Sequence, residues 1–173
     1  MPTSYQAPMR KDQTNARSQS QSASTNVKTE TATVAQLIGG KGGDVFSIQP
    51  DETLGQAVQV LRDRRIGALI VTDNNGALCG ILSERDIVRK LADTPGQTLP
   101  QSVSDVMTSS VETCAPNDTL VSVLKRMTAG RFRHMPVVSG DKLMGMVTIG
   151  DVVNYRLVEL EHEALQLKQL IVG

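Results

Sequence analysis

Two short patterns in the chain could do chemistry, Ser83-Glu84-Arg85-Asp86 and Thr148-Ile149-Gly150-Asp151. A hydroxyl followed three residues later by a carboxylate is first of all a capping box at a helix start. Both patterns also come directly after an apolar strand-like run that begins with glycine, Gly80-Ile81-Leu82 and Gly145-Met146-Val147. At such a junction, free backbone N–H groups and the helix dipole favour an anion. The hydroxyl of Ser83 or Thr148 can donate to a phosphate, and the carboxylate of Asp86 or Asp151 can accept two hydrogen bonds from a vicinal diol such as a ribose. A cap and a ligand contact both remain open for either pattern, and the duplication favours the ligand. A second cluster, Arg131-Phe132-Arg133-His134, precedes another apolar strand, where the earlier counterpart reads Arg65-Ile66-Gly67-Ala68. A solvated basic edge would explain the arginines. A phosphate contact explains better why three cationic or potentially cationic side chains fall within four positions. The contrast with Gly67-Ala68 predicts two unequal sites.

These residues must be positioned by a duplicated fold. Val45-Phe46-Ser47-Ile48-Gln49-Pro50-Asp51-Glu52-Thr53-Leu54 matches Val111-Glu112-Thr113-Cys114-Ala115-Pro116-Asn117-Asp118-Thr119-Leu120 as V-x-[ST]-x-x-P-x-x-T-L, at an offset of 119 − 53 = 66. The glycine-led blocks repeat at 151 − 86 = 65, so the second copy loses one residue in its hairpin turn. Each copy reads as a strand (Val45–Ile48, Val111–Cys114), a helix, two strands and a second helix. The first helices carry Leu54, Ala57, Val58 and Leu61, and Leu120, Val123, Leu124 and Met127, at the three-and-four spacing of one buried face. Asp73-Asn74-Asn75-Gly76 and Ser139-Gly140-Asp141 are turn sequences. The expectation is a mixed α/β (α+β) fold of two β-α-β-β-α units: residues 32–94, then 95–155, with 91–104 as the connection. One such unit buries too little surface to be secure alone. Two related by a pseudo-twofold axis would cover each other and leave two clefts between them.

Residues 1–31 are rich in Ser, Gln, Thr and Asn and are expected to be a disordered polar tail. Gly39-Gly40-Lys41-Gly42-Gly43 lacks the ending of a phosphate-binding P-loop and reads as a flexible approach to the first strand, with Lys41 a secondary candidate for ligand contact. Past Asp151 the pattern continues as helix, and residues 156–173 form an extension. Val153, Leu157, Leu160, Ala164, Leu167 and Ile171 make a heptad stripe, suited to packing on the chain's own module or on a second subunit.

Among 173 residues, 18 basic and 18 acidic side chains cancel, so no basic excess points to nucleic acid or a membrane surface. Two Phe, two Tyr and no Trp leave little for stacking on bases of a single strand. Cys79 and Cys114 read as buried free thiols, and the chain has neither an apolar run long enough to span a membrane nor a secretory signal, so a cytoplasmic protein is expected. No G-x-S-x-G elbow or Walker A loop is present, and His134 and His162 lack metal-ligand spacing, so neither an enzyme nor a metal site is expected.

The paired V-x-[ST]-x-x-P-x-x-T-L blocks, the His134-Met135-Pro136-Val137-Val138 strand, and the G-I-L-S-E-R-D and G-M-V-T-I-G-D blocks resemble a tandem pair of CBS domains. This module was first named from cystathionine β-synthase, and it also occurs in inosine monophosphate dehydrogenase and in the regulatory subunit of AMP-activated protein kinase. The resemblance covers about residues 33–155. It implies a disc-like regulatory module, often a homodimer, with an adenine nucleotide (AMP, ADP, ATP or NAD(H)) in the clefts. Asp86 and Asp151 would then hold ribose hydroxyls. Ser83, Thr148, Arg85, Arg131, Arg133 and His134 would reach phosphates. Adenine would lie between Met146 and Ile66-Gly67 in the Asp151 site, and against Ile81 and Phe132 in the Asp86 site. Some members of the family bind S-adenosyl compounds, dinucleotides or metal ions instead. The leading expectation is a nucleotide sensor that signals to a separate, unknown protein partner. The alternative is a structural dimerisation module with vestigial clefts, and a nucleotide hydrolase ranks last.

Overall fold

The computed structural model describes residues 32–42 and 44–173; the polar segment expected to be disordered, 1–31, lies outside them. The element order is α1 (Val34–Lys41), β1 (Ser47–Ile48), α2 (Leu54–Arg64), β2 (Ala68–Thr72), β3 (Leu78–Ser83), α3 (Glu84–Asp93), a 3-10 turn (Val103–Asp105), α4 (Leu120–Gly130), β4 (His134–Ser139), β5 (Lys142–Thr148) and α5 (Ile149–Val172). The expected pair of α/β units is present. In the first, β1 runs parallel to β2, and β2 antiparallel to β3. In the second, β4 and β5 are antiparallel, and the expected strand at 111–114 shrinks to a single parallel bridge between Cys114 and Val137. Both hairpins carry the same irregularity, between Val71 and Thr72 and between Val137 and Val138, and the residue lost from the second copy falls in its turn, where Val138 pairs with Leu143 but Thr72 with Leu78.

Local chemistry sets the boundaries. Thr53 and Thr119 cap α2 and α4 by accepting from the N–H groups of Gln56 and Ser122. Both helices end on an arginine in the left-handed region, Arg65 at φ 52° and Arg131 at φ 56°. Leu54, Ala57 and Leu61 face the first core with Leu69, Val71, Leu82 and Ile87, whereas Leu120, Val123 and Met127 face the second with Met135, Val137 and Val147. Each fully buried large side chain of this kind stabilises the fold by about 1.5–3 kcal/mol. Val58, expected on the buried face, is exposed, because its position rotates to the margin of that face. Cys79 is only half-buried, while Cys114 is buried, and burial pushes the Cys114 thiol up to about 11.

A departure from the expected plan is α1. Thr33 caps it through a full capping box with Gln36, and it runs through Gly39 and Gly40 to Lys41. The glycine-rich stretch read as a flexible approach is therefore largely the last turn of a helix. Val34 and Leu37 belong to the core of the second unit, not the first. The first unit receives the same service from the connection, where Val103 is fully buried among its core residues. The backbone bonds repeat: Val34 N–H donates to Asp118 O at 2.9 Å and Val103 N–H to Glu52 O at 2.8 Å, while Leu120 N–H donates to Ala32 O and Leu54 N–H to Gln101 O, both at 2.9 Å. Each unit is completed by the segment that precedes the other. Close approach demands glycine at one point of this arrangement, since a methyl group on Gly80 would lie 2.7 Å from Met107 Sδ and 2.9 Å from Thr108 O.

Candidate functional site

A cavity of about 350 Å³ opens between the two units. Its floor comes from the end of β3 and the start of α3, and its facing wall from the turn between α4 and β4. Gly67, Ile81, Ser83, Arg85, Asp86, Arg131, Phe132, Arg133 and His134 all line it, so nine sequence-predicted residues converge on one space.

Ser83 caps α3, with its Oγ accepting from Asp86 N–H at 3.3 Å and donating to Asp86 Oδ2 at 2.6 Å, while Ser83 N–H donates to the same oxygen at 3.0 Å. Oδ2 is thus spent on the helix start. Oδ1 has no hydrogen-bond partner among the described residues, and Asp86 lines the cavity. The helix terminus is also more nearly satisfied than the sequence suggests. Glu84 N–H donates to Gly67 O at 3.0 Å and Asp86 N–H to Ser83, which leaves the Arg85 N–H as the remaining donor of the first turn. Side chains must supply most of the anion-binding capacity. The lining holds Arg85, Arg89, Arg131 and Arg133 against Glu84, Asp86 and Glu112, a formal balance of 4 − 3 = +1 before His134 is counted. Arg85 Nη1 also donates to Arg131 O at 3.3 Å, which ties the two units across the cavity mouth.

His134 lies beside the Gly67 backbone, where a methyl group added to Gly67 would touch its ring at 3.4 Å. Burial lowers the pKa of His134. The charges of Lys41 and Arg133 act in the same direction, and those of Glu84 and Asp151 oppose it.

The second junction is built alike but occupied differently. Thr148 caps α5, Thr148 N–H donates to Asp151 Oδ2 at 3.0 Å, and Asp151 N–H donates to Thr148 Oγ1 at 3.1 Å. Here Lys41, at the end of α1, donates from Nζ to Asp151 Oδ2 at 2.5 Å. Burial acts to raise the pKa of Asp151, but the hydrogen bonds from Lys41 and Thr148, with the Lys41 charge, hold it below the usual carboxylate value. Met146 is half-buried on β5 opposite Pro136. Ile66 packs on the first core and, with Gly67, also borders a shallow groove between α2 and α3 that holds Val58 and Val88.

Sequence reasoning missed the cavity's third wall, Thr108, Ser110, Val111 and Glu112. Thr108 exchanges backbone bonds with Ile81 at 3.0 and 2.9 Å, and Arg126 Nη2 donates to Glu112 at 2.8 Å. The repeat carried a signal for this wall, because Val111 opens the second V-x-[ST]-x-x-P-x-x-T-L block. Gly130 also borders the cavity, and a side chain there would collide with the ring of Phe132, the nearest carbon lying 2.2 Å from the added methyl.

A duplicated α/β unit, with a cavity between the copies lined by four arginines and the Asp86 carboxylate, is the build of a two-repeat ligand-binding module. Residues 43–93 and 103–158 each match the CBS domain, and the chain belongs to that family. It is 32% identical over 152 residues to a mitochondrial CBS domain-containing protein of Arabidopsis thaliana, covering 83% of this chain and 74% of that one. It is 35% identical over 115 residues to inosine-5′-monophosphate dehydrogenase of Methanocaldococcus jannaschii, but spans only 22% of that enzyme. Among solved structures, a CBS-domain protein of Agrobacterium tumefaciens superposes with a TM-score of 0.71 at 42% identity, covering 73% of this chain and 94% of that one. A CBS-domain pair crystallised with 5′-methylthioadenosine and S-adenosyl-L-methionine shares the fold, with a TM-score of 0.66 at 21% identity. CBS pairs are regulatory ligand-binding modules. Among the described residues, no helix is long and apolar enough to cross a membrane.

Proposed function

We propose that this protein is a sensor that binds an adenine nucleotide in the Asp86 cavity and reports its occupancy to a separate protein. The carrying observation is the chemical make-up of that cavity's lining. Asp86 offers an unpaired carboxylate oxygen for a ribose diol, Ile81 and Phe132 offer apolar faces for the base, and Arg85, Arg131 and Arg133 offer cationic groups for phosphate, with the His134 imidazole beside them. About 350 Å³ falls within the usual range of small-molecule sites. The arginines favour a phosphorylated nucleotide over an S-adenosyl compound, whose sulfonium would add positive charge to a site that already has an excess. The Asp151 junction, with Ile66, Met146 and Thr148, is the weaker site, because a ligand's hydroxyls must displace the Lys41 ammonium. Free thiols at Cys79 and Cys114 suit a reducing cytosol.

Calorimetric titration of the full chain with AMP, ATP and NADH tests this reading. Binding of at least one nucleotide at micromolar to submillimolar concentration is expected, with an affinity loss of at least about tenfold in Asp86→Ala, the scale of a lost charge-assisted hydrogen bond. Absence of any heat or melting shift at millimolar nucleotide would leave only a dimerisation scaffold. A product assay run alongside would expose a hydrolase.

A further inference from the structure

We infer that the C-terminal half of α5 pairs with the same helix of a second copy of this chain as a parallel, in-register, two-stranded coiled coil. From residue 160 to residue 172 every side chain of α5 is exposed, and the stripe shows bare apolar surface: Val153 is 46% exposed, Leu157 54%, Leu160 44%, Leu167 60% and Ile171 84%. A helix of this length is marginal in water unless an apolar face is covered. No part of the chain covers this one among the described residues.

The occupant is specified by the charges beside the stripe. Leu157, Ala164 and Ile171 take the a positions, and Val153, Leu160 and Leu167 the d positions. The flanking g positions are then Arg156 and Glu163, and the e positions Glu161 and Lys168. In a parallel pair each g residue meets the e residue five places later on the other helix. Arg156 therefore meets Glu161 of the partner subunit, and Glu163 meets Lys168 of the partner subunit. The symmetry repeats both, so all four contacts are attractive. The antiparallel register that keeps all six apolar layers sets Leu157 against Leu167 and Leu160 against Ala164. It brings Glu161 against its own copy and Glu163 against its own copy, two like-charge contacts at the centre. Within its own helix Arg156 holds only exposed pairs, 3.1 Å to Glu159 and 4.0 Å to Glu163, which are weak and easily shared. Val158, Leu165 and Val172 form another apolar row, roughly 130° around the helix from the seam. They lack flanking charges of this pattern, so the seam is placed on the a and d stripe.

This pairing is independent of the nucleotide reading. Disulfide trapping tests its direction in a Cys79→Ser background. A parallel register sets Leu160 against its own copy, so Leu160→Cys is expected to cross-link nearly completely under mild oxidation, while His162→Cys, on the outer face, does not. Sedimentation tests the charge code. Glu161→Lys is expected to weaken dimerisation roughly tenfold, as attraction becomes repulsion at two symmetric contacts. Adding Arg156→Glu should restore it. A monomeric wild-type chain would overturn the inference. So would trapping of Leu160→Cys no better than His162→Cys, trapping only in mixtures of Leu160→Cys with Ala164→Cys, or a dimer indifferent to Glu161→Lys.

Discussion

At the scale of single residues, His134 marks the Asp86 cavity and Lys41 marks the Asp151 junction. Burial keeps the His134 pKa below its ordinary value of about 6.5. Between that value and the lower folded one, the unfolded chain binds more protons than the native chain. Native stability without ligand therefore falls as pH drops through this window. A phosphate beside the imidazole reverses the preference, since an anion favours the charged ring. Nucleotide affinity should then rise from pH 7.5 to pH 6, with proton uptake measurable by calorimetry in buffers of different ionisation enthalpy. His134→Gln should flatten both trends, and an unchanged pH profile in that variant would remove His134 from the phosphate contacts. Lys41 acts at the other cleft. Its ammonium already neutralises Asp151, so the wild-type chain should take up one nucleotide per subunit at moderate concentration, while Lys41→Ala should reveal a second, weaker binding event. A stoichiometry of one in both proteins would show that something other than this ion pair closes the second cleft.

At the scale of elements, α1 governs where Lys41 stands. Gly39 and Gly40 sit inside the helix with open space around them, where a methyl group would meet nothing within 4 Å. Replacing either by alanine should stabilise the protein by about 0.5–1 kcal/mol, because glycine loses more backbone freedom on folding. Leu37→Ala should do the opposite, costing about 2–4 kcal/mol in denaturant unfolding, since Leu37 is buried in the second core. If Leu37→Ala were silent, α1 would not be docked in solution. This helix was hard to read in the sequence because its two glycines mimic a loop, and its apolar residues match a core that begins some eighty positions later. By contrast, α2, α4 and the two hairpins were legible, since their spacing and turn residues are local and occur twice. Both Ser/Thr-x-x-Asp junctions could be read from their motifs and the arginine cluster from its asymmetry. The wall at 108–112 and the Lys41–Asp151 pair depend on how segments are exchanged between the units, which local patterns do not record.

At the scale of the whole molecule, the exchange of segments leaves neither unit self-sufficient. The first core needs Val103 from the connection and the second needs Val34 and Leu37 from α1. The Asp86 cavity adds another dependence, because Asp86 comes from the first unit and Arg131, Phe132, Arg133 and His134 from the second. A ligand held by both can bind only when the units are docked, so it acts on their relative placement and not on one of them alone. It should stabilise the native chain by about 2.7 kcal/mol at a hundred times its dissociation constant. It should also slow amide exchange in both α3 and β4, whose starts face each other across the cavity. Hydrogen-exchange mass spectrometry with and without saturating AMP measures this directly. Protection shared by α3 and β4, and lost from both in Asp86→Ala, is the expected result. Protection confined to one unit would mean that the nucleotide decorates a single repeat, and a ligand that does not bridge the units has no means of shifting how they sit against each other for a partner to detect.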